Sequence, residues 1–219
     1  MGSNGVSSHL VVSNGALLED SDASLGRAAS GNHSAVVTGA GSLWTNRNSF
    51  GISATIFASS SSNLLVVSDG AALVSAGSAS VAGYGNQVFI AGPGSRWANQ
   101  SDFTFGGTSN RLEVSDVATL ISSNATVTDL TTGDTDTILL TGSGTIWTNS
   151  QELTMGYAAR GVVIVSNGAA FLVGGRASIG ALSGSNSNTA WVTDSGTRCT
   201  IGSDLYLGTF ASTKLAGGQ

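Results

Sequence analysis

The chain has 219 residues, of which only 10% are charged and 31 are glycine, and its formal net charge is −5. The sequence has no run of Lys or Arg, which argues against a nucleic-acid ligand, since such ligands need clustered cations. Its single cysteine excludes an internal disulfide, and no apolar run is long enough for a membrane-spanning helix.

Four segments begin with the same short strand and turn. They read VVSNGA from Val11, VVSDGA from Val66, EVSDVA from Glu113 and IVSNGA from Ile164. This spacing of about 50 residues indicates an internal repeat. Midway between them stand VTGAGSLWTN, IAGPGSRWAN, LTGSGTIWTN and a divergent fourth copy, VTDSGTRCTI. Each repeat therefore contains two related halves of about 25 residues.

Three apolar columns recur when the eight halves are aligned. Along each segment the apolar residues occupy every second position, which is the alternation typical of a β-strand. The first column is Val12, Val37, Val67, Ile90, Val114, Leu140, Val165 and Val192. The second is Leu18, Trp44, Leu73, Trp97, Leu120, Trp147, Phe171 and Cys199. The third is Leu25, Phe50, Val81, Phe105, Val127, Met155, Ile179 and Leu207. Two residues before the third column, small and larger side chains alternate: Ala23, Asn48, Ala79, Phe103, Ala125, Leu153, Ala177 and Leu205.

Three short strands in each half predict an all-β fold, a right-handed parallel β-helix (β-solenoid) of about eight three-strand rungs. We expect one domain over residues 9–208, made of double-rung repeats at 9–62, 63–110, 111–160 and 161–208. Residues 1–8 would be a leader or derive from cloning, and residues 209–219 would be a tail. We also expect the chain to be part of a longer protein.

The recurring tryptophans are explained by this architecture. Trp44, Trp97 and Trp147 would fill one corner of the core on alternate rungs, and Cys199 would fill the same corner in the last rung rather than serve as a reactive thiol. The turn after the first strand is Asn-Gly or Asp-Gly in three repeats but Asp-Val in the third. Because a β-branched residue with positive φ is costly, we expect a different turn at Val117.

The repeat resembles the one associated with type V secretion autotransporters and with PEP-CTERM-sorted proteins. The resemblance covers roughly residues 9–208 and rests on NGAxL, SLG, SGN, VTGxGSxWTN and LxxG in succession. It implies a solenoid passenger of a large exported bacterial protein, outside the cell or on its outer surface. The export signal and the barrel or sorting helix would lie elsewhere, and the resemblance assigns no catalytic residues.

No catalytic, cofactor-binding or metal-binding site can be assigned from the sequence. The densest acidic group, Asp129, Asp134 and Asp136, is predicted to lie in a loop, where a solvated turn and a calcium site both stay open. Its spacing matches neither calcium-binding solenoids nor EF-hands. His9 and His33 belong to adjacent rungs but lack the further ligands of a zinc site.

The outward position of strand one is unexpectedly apolar. We call this column the strand-one ridge, and it consists of Val11, Val36, Val66, Phe89, Leu139, Ile164 and Trp191, with Glu113 at the remaining rung. One explanation is the β-propensity of Val and Ile, or a loop that covers them. The other is a surface for self-association or partner docking, with Glu113 limiting uncontrolled pairing.

The leading interpretation is a non-catalytic structural and adhesive module, a rigid stalk without cofactors. Its partners would be a second copy, bound through the strand-one face or the solenoid ends, or a glycan or a neighbouring cell surface. The alternative is a carbohydrate-active β-helix enzyme, a polysaccharide lyase or glycoside hydrolase, which requires a carboxylate cluster on one face. An ice-binding array would need a regular Thr-x-Thr ladder, which strand one lacks.

Overall fold

A computed structural model of the chain describes residues 7–27, 31–53, 61–129, 135–156, 161–180 and 188–208. Every regular element in these ranges is a β-strand, and the strands form three parallel sheets. Strands that are hydrogen-bonded neighbours lie three apart in chain order, so the chain passes through each sheet once per rung. The predicted parallel β-helix is thereby confirmed, with eight strands in each sheet.

The three sheets form the three faces of the solenoid, and each rung contributes one strand to each face. The first sheet consists of β1 (His9–Ser13), β4 (Ser34–Thr38), β7 (Leu64–Ser68), β10 (Gln87–Ala91), β13 (Arg111–Ser115), β16 (Asp136–Thr141), β19 (Gly161–Ser166) and β22 (Thr189–Val192). The second consists of β2 (Leu17–Asp20), β5 (Leu43–Asn46), β8 (Ala72–Ser75), β11 (Arg96–Asn99), β14 (Thr119–Ser122), β17 (Ile146–Asn149), β20 (Ala170–Val173) and β23 (Arg198–Ile201). The third consists of β3 (Ala23–Leu25), β6 (Phe50–Ile52), β9 (Ala79–Val81), β12 (Phe103–Gly107), β15 (Ala125–Asp129), β18 (Leu153–Met155), β21 (Ala177–Ile179) and β24 (Leu205–Leu207). Rung 1 is therefore β1 to β3, and rung 8 is β22 to β24.

The strand register agrees with the first two apolar columns throughout and corrects the third at rung 2. Leu25 and Val81 both pair with Ile52, whereas Phe50 pairs with Ala23 and Ala79. The sequence alignment had placed Phe50 two positions too late, because it put Asn48 on the inner face. Asn48 instead lies in the preceding turn and is exposed, since a polar amide in an apolar column would be costly to bury.

Aromatic side chains form a continuous line through the core from rung 2 to rung 7. Trp44, Phe50, Trp97 and Phe103 meet edge to face, with ring centres 5.2, 5.5 and 5.4 Å apart in that order. All four are buried. Each tryptophan of the second sheet packs beside a phenylalanine of the third, and Phe171 stacks on Trp147. Ala79 and Ala125 on neighbouring rungs of the third sheet leave room for these rings. This alternation fills the core without overpacking.

The turn at Val117 does not differ from the others, so that prediction was wrong. Asn14 and Gly15 have φ values of 57° and 76°, and Asp116 and Val117 have 54° and 68°. Positive φ at both central residues is the type I′ pattern. Val117 is held in this conformation because its N–H donates to the hydroxyl of Thr145 on the next rung, at 3.1 Å.

The same hydroxyl contact joins the two halves of every repeat. The N–H of Gly15, Gly70 and Gly168 donates to Ser42, Ser95 and Thr197 at 2.9 to 3.0 Å, as Val117 does to Thr145. The Gly-Ser or Gly-Thr step before each tryptophan position is therefore explained by its neighbouring rung. Neighbouring rungs fix the turn geometry even where the local residue opposes it.

Candidate functional site

The strand-one ridge forms a column on the outer face of the first sheet, in which Glu113 is the one residue that is not apolar. Its members and Glu113 are paired in register at all seven rung-to-rung junctions. The end members Val11 and Trp191 are 50% and 61% exposed, and the inner members are partly exposed. The ridge therefore points away from the core along the whole described rod.

An ion pair interrupts the strand-one ridge near its middle. Glu113 lies between Phe89 and Leu139 and accepts a hydrogen bond from the guanidinium of Arg111, on the same strand, at 2.6 Å. The Arg111 side chain is 46% exposed, so solvent screens the pair and its contribution to stability is small. Its main effect is to place both signs of charge within an otherwise apolar column.

Hydroxyl side chains line one flank of the strand-one ridge. In register they are Ser13, Thr38, Ser68, Ser115, Thr141 and Ser166, with Ala91 at the fourth rung. Thr38 donates a hydrogen bond to the Asp69 carboxylate at 2.7 Å, and Ser68 donates a second at 3.0 Å. These two bonds, that from Thr38 first, lower the pKa of Asp69. The flank thus forms a polar rim whose groups bond to one another.

The outer face of the third sheet is polar, in contrast to the first. Its central column in register is Ser24, Gly51, Ser80, Thr104, Thr126, Thr154, Ser178 and Tyr206. Beside it, Arg176 donates to Glu152 at 2.9 Å, and its guanidinium carbon lies 5.9 Å from the centre of the Tyr206 ring. The outward central column of the second sheet is mixed, with Thr45, Thr148 and Thr200 beside Val74, Ile121 and Leu172. The strand-one ridge is therefore the most apolar of the three central outward columns.

A buried side-chain ladder, which the sequence analysis missed, occupies the corner before strand one. We call it the asparagine ladder, and it consists of His33, Asn63, Asn86, Asn110 and Asp136, all at most 1% exposed. At each step the backbone N–H of one member donates to the side chain of the next, over 3.1, 3.0, 2.9 and 2.7 Å. The signal in the sequence was an Asn directly before strand one in several rungs, which a search for apolar columns passes over.

The asparagine ladder changes the interpretation of the acidic group. Asp136 begins β16 and is fully buried, and its Oδ1 accepts the N–H of Asn110, so the expectation of a loop was wrong for this residue. Asp129 ends β15, and Asp134 lies outside the described residues. Within the described ranges, no group of three or more His, Cys, Asp or Glu is arranged to hold a metal ion.

The two histidines serve different partners. His33 is a member of the asparagine ladder, and its Nδ1 accepts the N–H of Ser8 at 3.1 Å. This assigns the ring proton to Nε2. His9 is exposed, and its ring bonds to the hydroxyl of Ser34. The structure therefore does not bring the two rings to a shared ligand position.

Polar groups also support the core corner that holds the tryptophans. Trp44 Nε1 donates to Asp20 at 2.7 Å, and Asn46 donates to the same carboxylate at 2.6 Å. Two rung pairs further along, Ser122 replaces the aspartate. Its hydroxyl accepts from Trp147 Nε1 at 3.1 Å and donates to Asn149 at 2.8 Å.

The middle tryptophan is bonded differently. Ser75 stands where Ser122 stands two rungs later, but its hydroxyl donates to Asn46 of the preceding rung, at 3.2 Å. Trp97 Nε1 and Asn99 Oδ1 are buried and have no hydrogen-bond partner among the described residues. The three tryptophans therefore occupy equivalent positions in the column but differ in their hydrogen bonding.

Cys199 differs from the expectation that it fills a buried corner. It pairs with Phe171 and so lies in the column of the tryptophans, but it is exposed because rung 8 has no described rung beyond it. Neighbouring apolar atoms still desolvate its sulfur, which raises the pKa of the thiol. Cys199 is thus an accessible but weakly acidic thiol at the end of the core.

Rung 8 exposes apolar residues of the kind that interior rungs bury, namely Val192, Leu205 and Leu207, whereas Val12 and Leu25 of rung 1 are buried. Ten large apolar residues are exposed in the described ranges, and seven lie in the end rungs: Val11, Leu17, Trp191, Val192, Leu205, Tyr206 and Leu207. At rung 8 an apolar cavity of about 360 Å³ opens beside Val192, Cys199 and Leu207. At rung 1 a hollow of about 220 Å³ is lined by Leu10 and Leu18 and also by the acidic residues Asp20 and Asp22.

Two further findings bear on function. None of the described elements is a helix of the length and hydrophobicity that a membrane span requires. Comparisons of the chain with protein-family models, with curated proteins and with solved structures found no match.

Proposed function

We propose that the chain is a non-catalytic structural and adhesive module, a rigid stalk segment whose strand-one ridge binds the same ridge on a second copy. The observation that carries this proposal is the apolar column in register along the first sheet of a rod whose third sheet has mostly hydroxyl side chains at its outward centres. Location outside a bacterial cell or on its surface is part of the proposal and rests on the resemblance of the repeat.

β-Propensity alone does not account for the apolar residues. Thr is β-branched and suits an exposed strand as well as Val or Ile does. The third sheet uses Thr104, Thr126 and Thr154 at its outward centres. The first sheet has Phe89 and Leu139 at the same rungs as Thr104 and Thr154. A requirement for outward strand formers would have been met by Thr on both faces, so the apolar choice favours a binding role.

The size of the face suits a modest dimer interface. Eight strands at about 4.8 Å spacing and about five residues at 3.3 Å each give a face of about 38 by 16 Å. Two such faces would bury about 1,200 Å² in total, at the lower limit for specific interfaces. We therefore expect reversible association that depends on concentration.

The Arg111–Glu113 pair limits which arrangements of the two copies are favourable. Registers that bury these charges against apolar side chains of the other copy would cost free energy.

Sedimentation velocity over about a hundredfold range of concentration tests the proposal. The parent should form dimers, and the Phe89→Ser/Leu139→Ser variant should remain monomeric because it interrupts the apolar column on both sides of Glu113. The matched control is Thr104→Ala/Thr154→Ala, which changes the same two rungs on the third sheet and should dimerise like the parent. A monomeric parent, or equal dimerisation of all three chains, would refute the proposal.

A further inference from the structure

We infer that the core at rung 4 has a binding site for one water molecule, which accepts a hydrogen bond from Trp97 Nε1 and donates one to Asn99 Oδ1. The site lies at the end of a strand of the second sheet, on the inner side of the rod. It is separate from the strand-one ridge, so it does not rest on the proposed function.

The two groups that form the site are a buried donor and a buried acceptor on one strand. Trp97 and Asn99 are two residues apart in β11, so their side chains lie on the same face, and both are at most 1% exposed. Neither Trp97 Nε1 nor Asn99 Oδ1 has a hydrogen-bond partner in the described part of the chain. Buried polar groups in folded proteins nearly always have a partner, which is either another protein group or an ordered water.

The amide of Asn99 cannot gain a donor by turning over. Its Nδ2 donates to the backbone carbonyls of Ser101 and Asp102 at 2.7 and 2.8 Å. Exchanging the amide nitrogen and oxygen would place Oδ1 against two carbonyl oxygens, none of which can donate a hydrogen bond. Asn99 Oδ1 is therefore fixed as an acceptor that needs a donor from elsewhere.

Rung 6 shows that a single oxygen atom fits between the equivalent groups. Trp147 lies in the column of Trp97 two rungs later, and Asn149 follows it as Asn99 follows Trp97. The hydroxyl of Ser122 accepts from Trp147 Nε1 at 3.1 Å and donates to Asn149 Oδ1 at 2.8 Å. One oxygen that both accepts and donates thus satisfies both groups, and rung 4 needs an oxygen in the same place.

Ser75, the counterpart of Ser122, cannot supply that oxygen without a new loss. We call the last residues of five strands of the second sheet the corner column: Asn46, Ser75, Asn99, Ser122 and Asn149. The corner column contains three amide oxygens but only two hydroxyl protons, which Ser75 and Ser122 donate away from Asn99, to Asn46 at 3.2 Å and to Asn149 at 2.8 Å. Turning Ser75 toward Asn99 would take its proton away from Asn46, so the number of amide oxygens without a donor would not change.

A water molecule supplies the proton that the corner column lacks. It accepts from Trp97 Nε1, donates to Asn99 Oδ1 and donates its second proton to Ser75 Oγ, and three hydrogen bonds are typical of a buried water. Trp44 needs no such water, because the Asp20 carboxylate accepts from Trp44 Nε1 at 2.7 Å. Among the three tryptophans of the second sheet, we therefore expect the water at Trp97 alone.

The test measures magnetisation transfer from water to the indole N–H protons, by NMR of the full isotope-labelled chain. Trp97→Phe assigns the Trp97 signal. We expect a direct transfer peak from a bound water at Trp97 and none at Trp44, which is the matched control because its acceptor is a carboxylate oxygen. Lack of a peak at Trp97 would overturn the inference.

Ser75→Ala distinguishes a water from the Ser75 hydroxyl, whose proton also exchanges with solvent. The Trp97 peak should persist in this variant. Its loss would show that the hydroxyl, turned toward Trp97, is the partner, and no water site would be needed.

A high-resolution crystal structure of the unsubstituted chain is a second test that needs no variant. We expect an oxygen peak within about 2.5–3.2 Å of both Trp97 Nε1 and Asn99 Oδ1. Electron density that places Ser75 Oγ at that position, or no density there, would contradict the inference.

Discussion

Replacing Val117 by glycine should stabilise the protein. Val117 has a φ of 68°, a conformation that costs about 2–3 kcal/mol for a β-branched residue, at the upper part of the usual range. Glycine removes this strain. Two opposing terms reduce the gain: glycine loses about 0.5–1 kcal/mol more backbone entropy on folding, and the half-buried valine side chain contributes about 0.7 kcal/mol of apolar burial.

The balance is a gain of about 1 kcal/mol for Val117→Gly, or about 2–4 °C in melting temperature for a chain of this size. Urea unfolding should show a higher midpoint with an unchanged slope. The Thr145 hydroxyl remains available to the residue 117 N–H, since that bond uses only the backbone.

Gly70→Val is the reciprocal control, because Gly70 holds the equivalent turn position with a φ of 81°. A Cβ on Gly70 would lie 3.5 Å or more from its neighbours, so strain rather than collision sets the effect. We expect a loss of about 1 kcal/mol. If Val117→Gly lowers the free energy of unfolding while Gly70→Val leaves it unchanged, the assignment of strain at Val117 is refuted.

Four other substitutions test the interior and the turns. Asn86→Ala should lower the free energy of unfolding, measured with a chemical denaturant, by about 3 kcal/mol, because it leaves the buried Asn63 N–H without its acceptor. A loss below about 1 kcal/mol would contradict a structural role for the asparagine ladder. Ser122→Ala should lower the free energy of unfolding by about 2–3 kcal/mol, because the Ser122 hydroxyl has two buried partners. Ser75→Ala should lower it by only about 1 kcal/mol, because the Ser75 hydroxyl has one. Equal losses in the two variants would contradict this difference in hydrogen bonding. Asp69 has a pKa below 3.8 in the folded state, so its stabilising contribution is present above that pH and is lost as pH falls through the folded pKa. Unfolding curves of Asp69→Asn should therefore lack this acid-dependent part, and parallel pH profiles of the two proteins would contradict it.

The sequence predicted the fold because the side chains that fill the core recur at fixed spacing. Trp44, Trp97 and Trp147 mark one corner of alternate rungs, and strand alternation follows from the apolar positions between them. The register error at Phe50 arose from counting residues across a turn, whose length varies between two and three residues from rung to rung. The variation in turn length is confined to the turn itself, and pairing with the neighbouring rungs restores the strand register.

Features that depend on contacts between rungs could not be predicted from the spacing of residues in the sequence. Val117 adopts a conformation that its own propensity opposes, because the rung beside it supplies Thr145 as an acceptor. Asp136 resembles a surface aspartate in sequence, yet it lies at the end of a buried ladder that begins about a hundred residues earlier, at His33. A polar residue in a solenoid corner is identified by its stacked neighbours rather than by its local sequence.

We expect the outer face of strand one to contribute little to the free energy of folding, so that binding and stability can be tested separately. Backbone hydrogen bonds between strands, the asparagine ladder and the aromatic line hold neighbouring rungs together. None of these uses the side chains of the strand-one ridge. Phe89→Ser/Leu139→Ser should therefore lower the free energy of unfolding by only about 1–2 kcal/mol in total, since both side chains are partly exposed. Urea unfolding below the concentration at which the parent associates measures this directly. If the double variant instead lost about 3 kcal/mol or more, as expected for Asn86→Ala, the strand-one ridge would be a structural element and its apolar residues would need no partner to explain them.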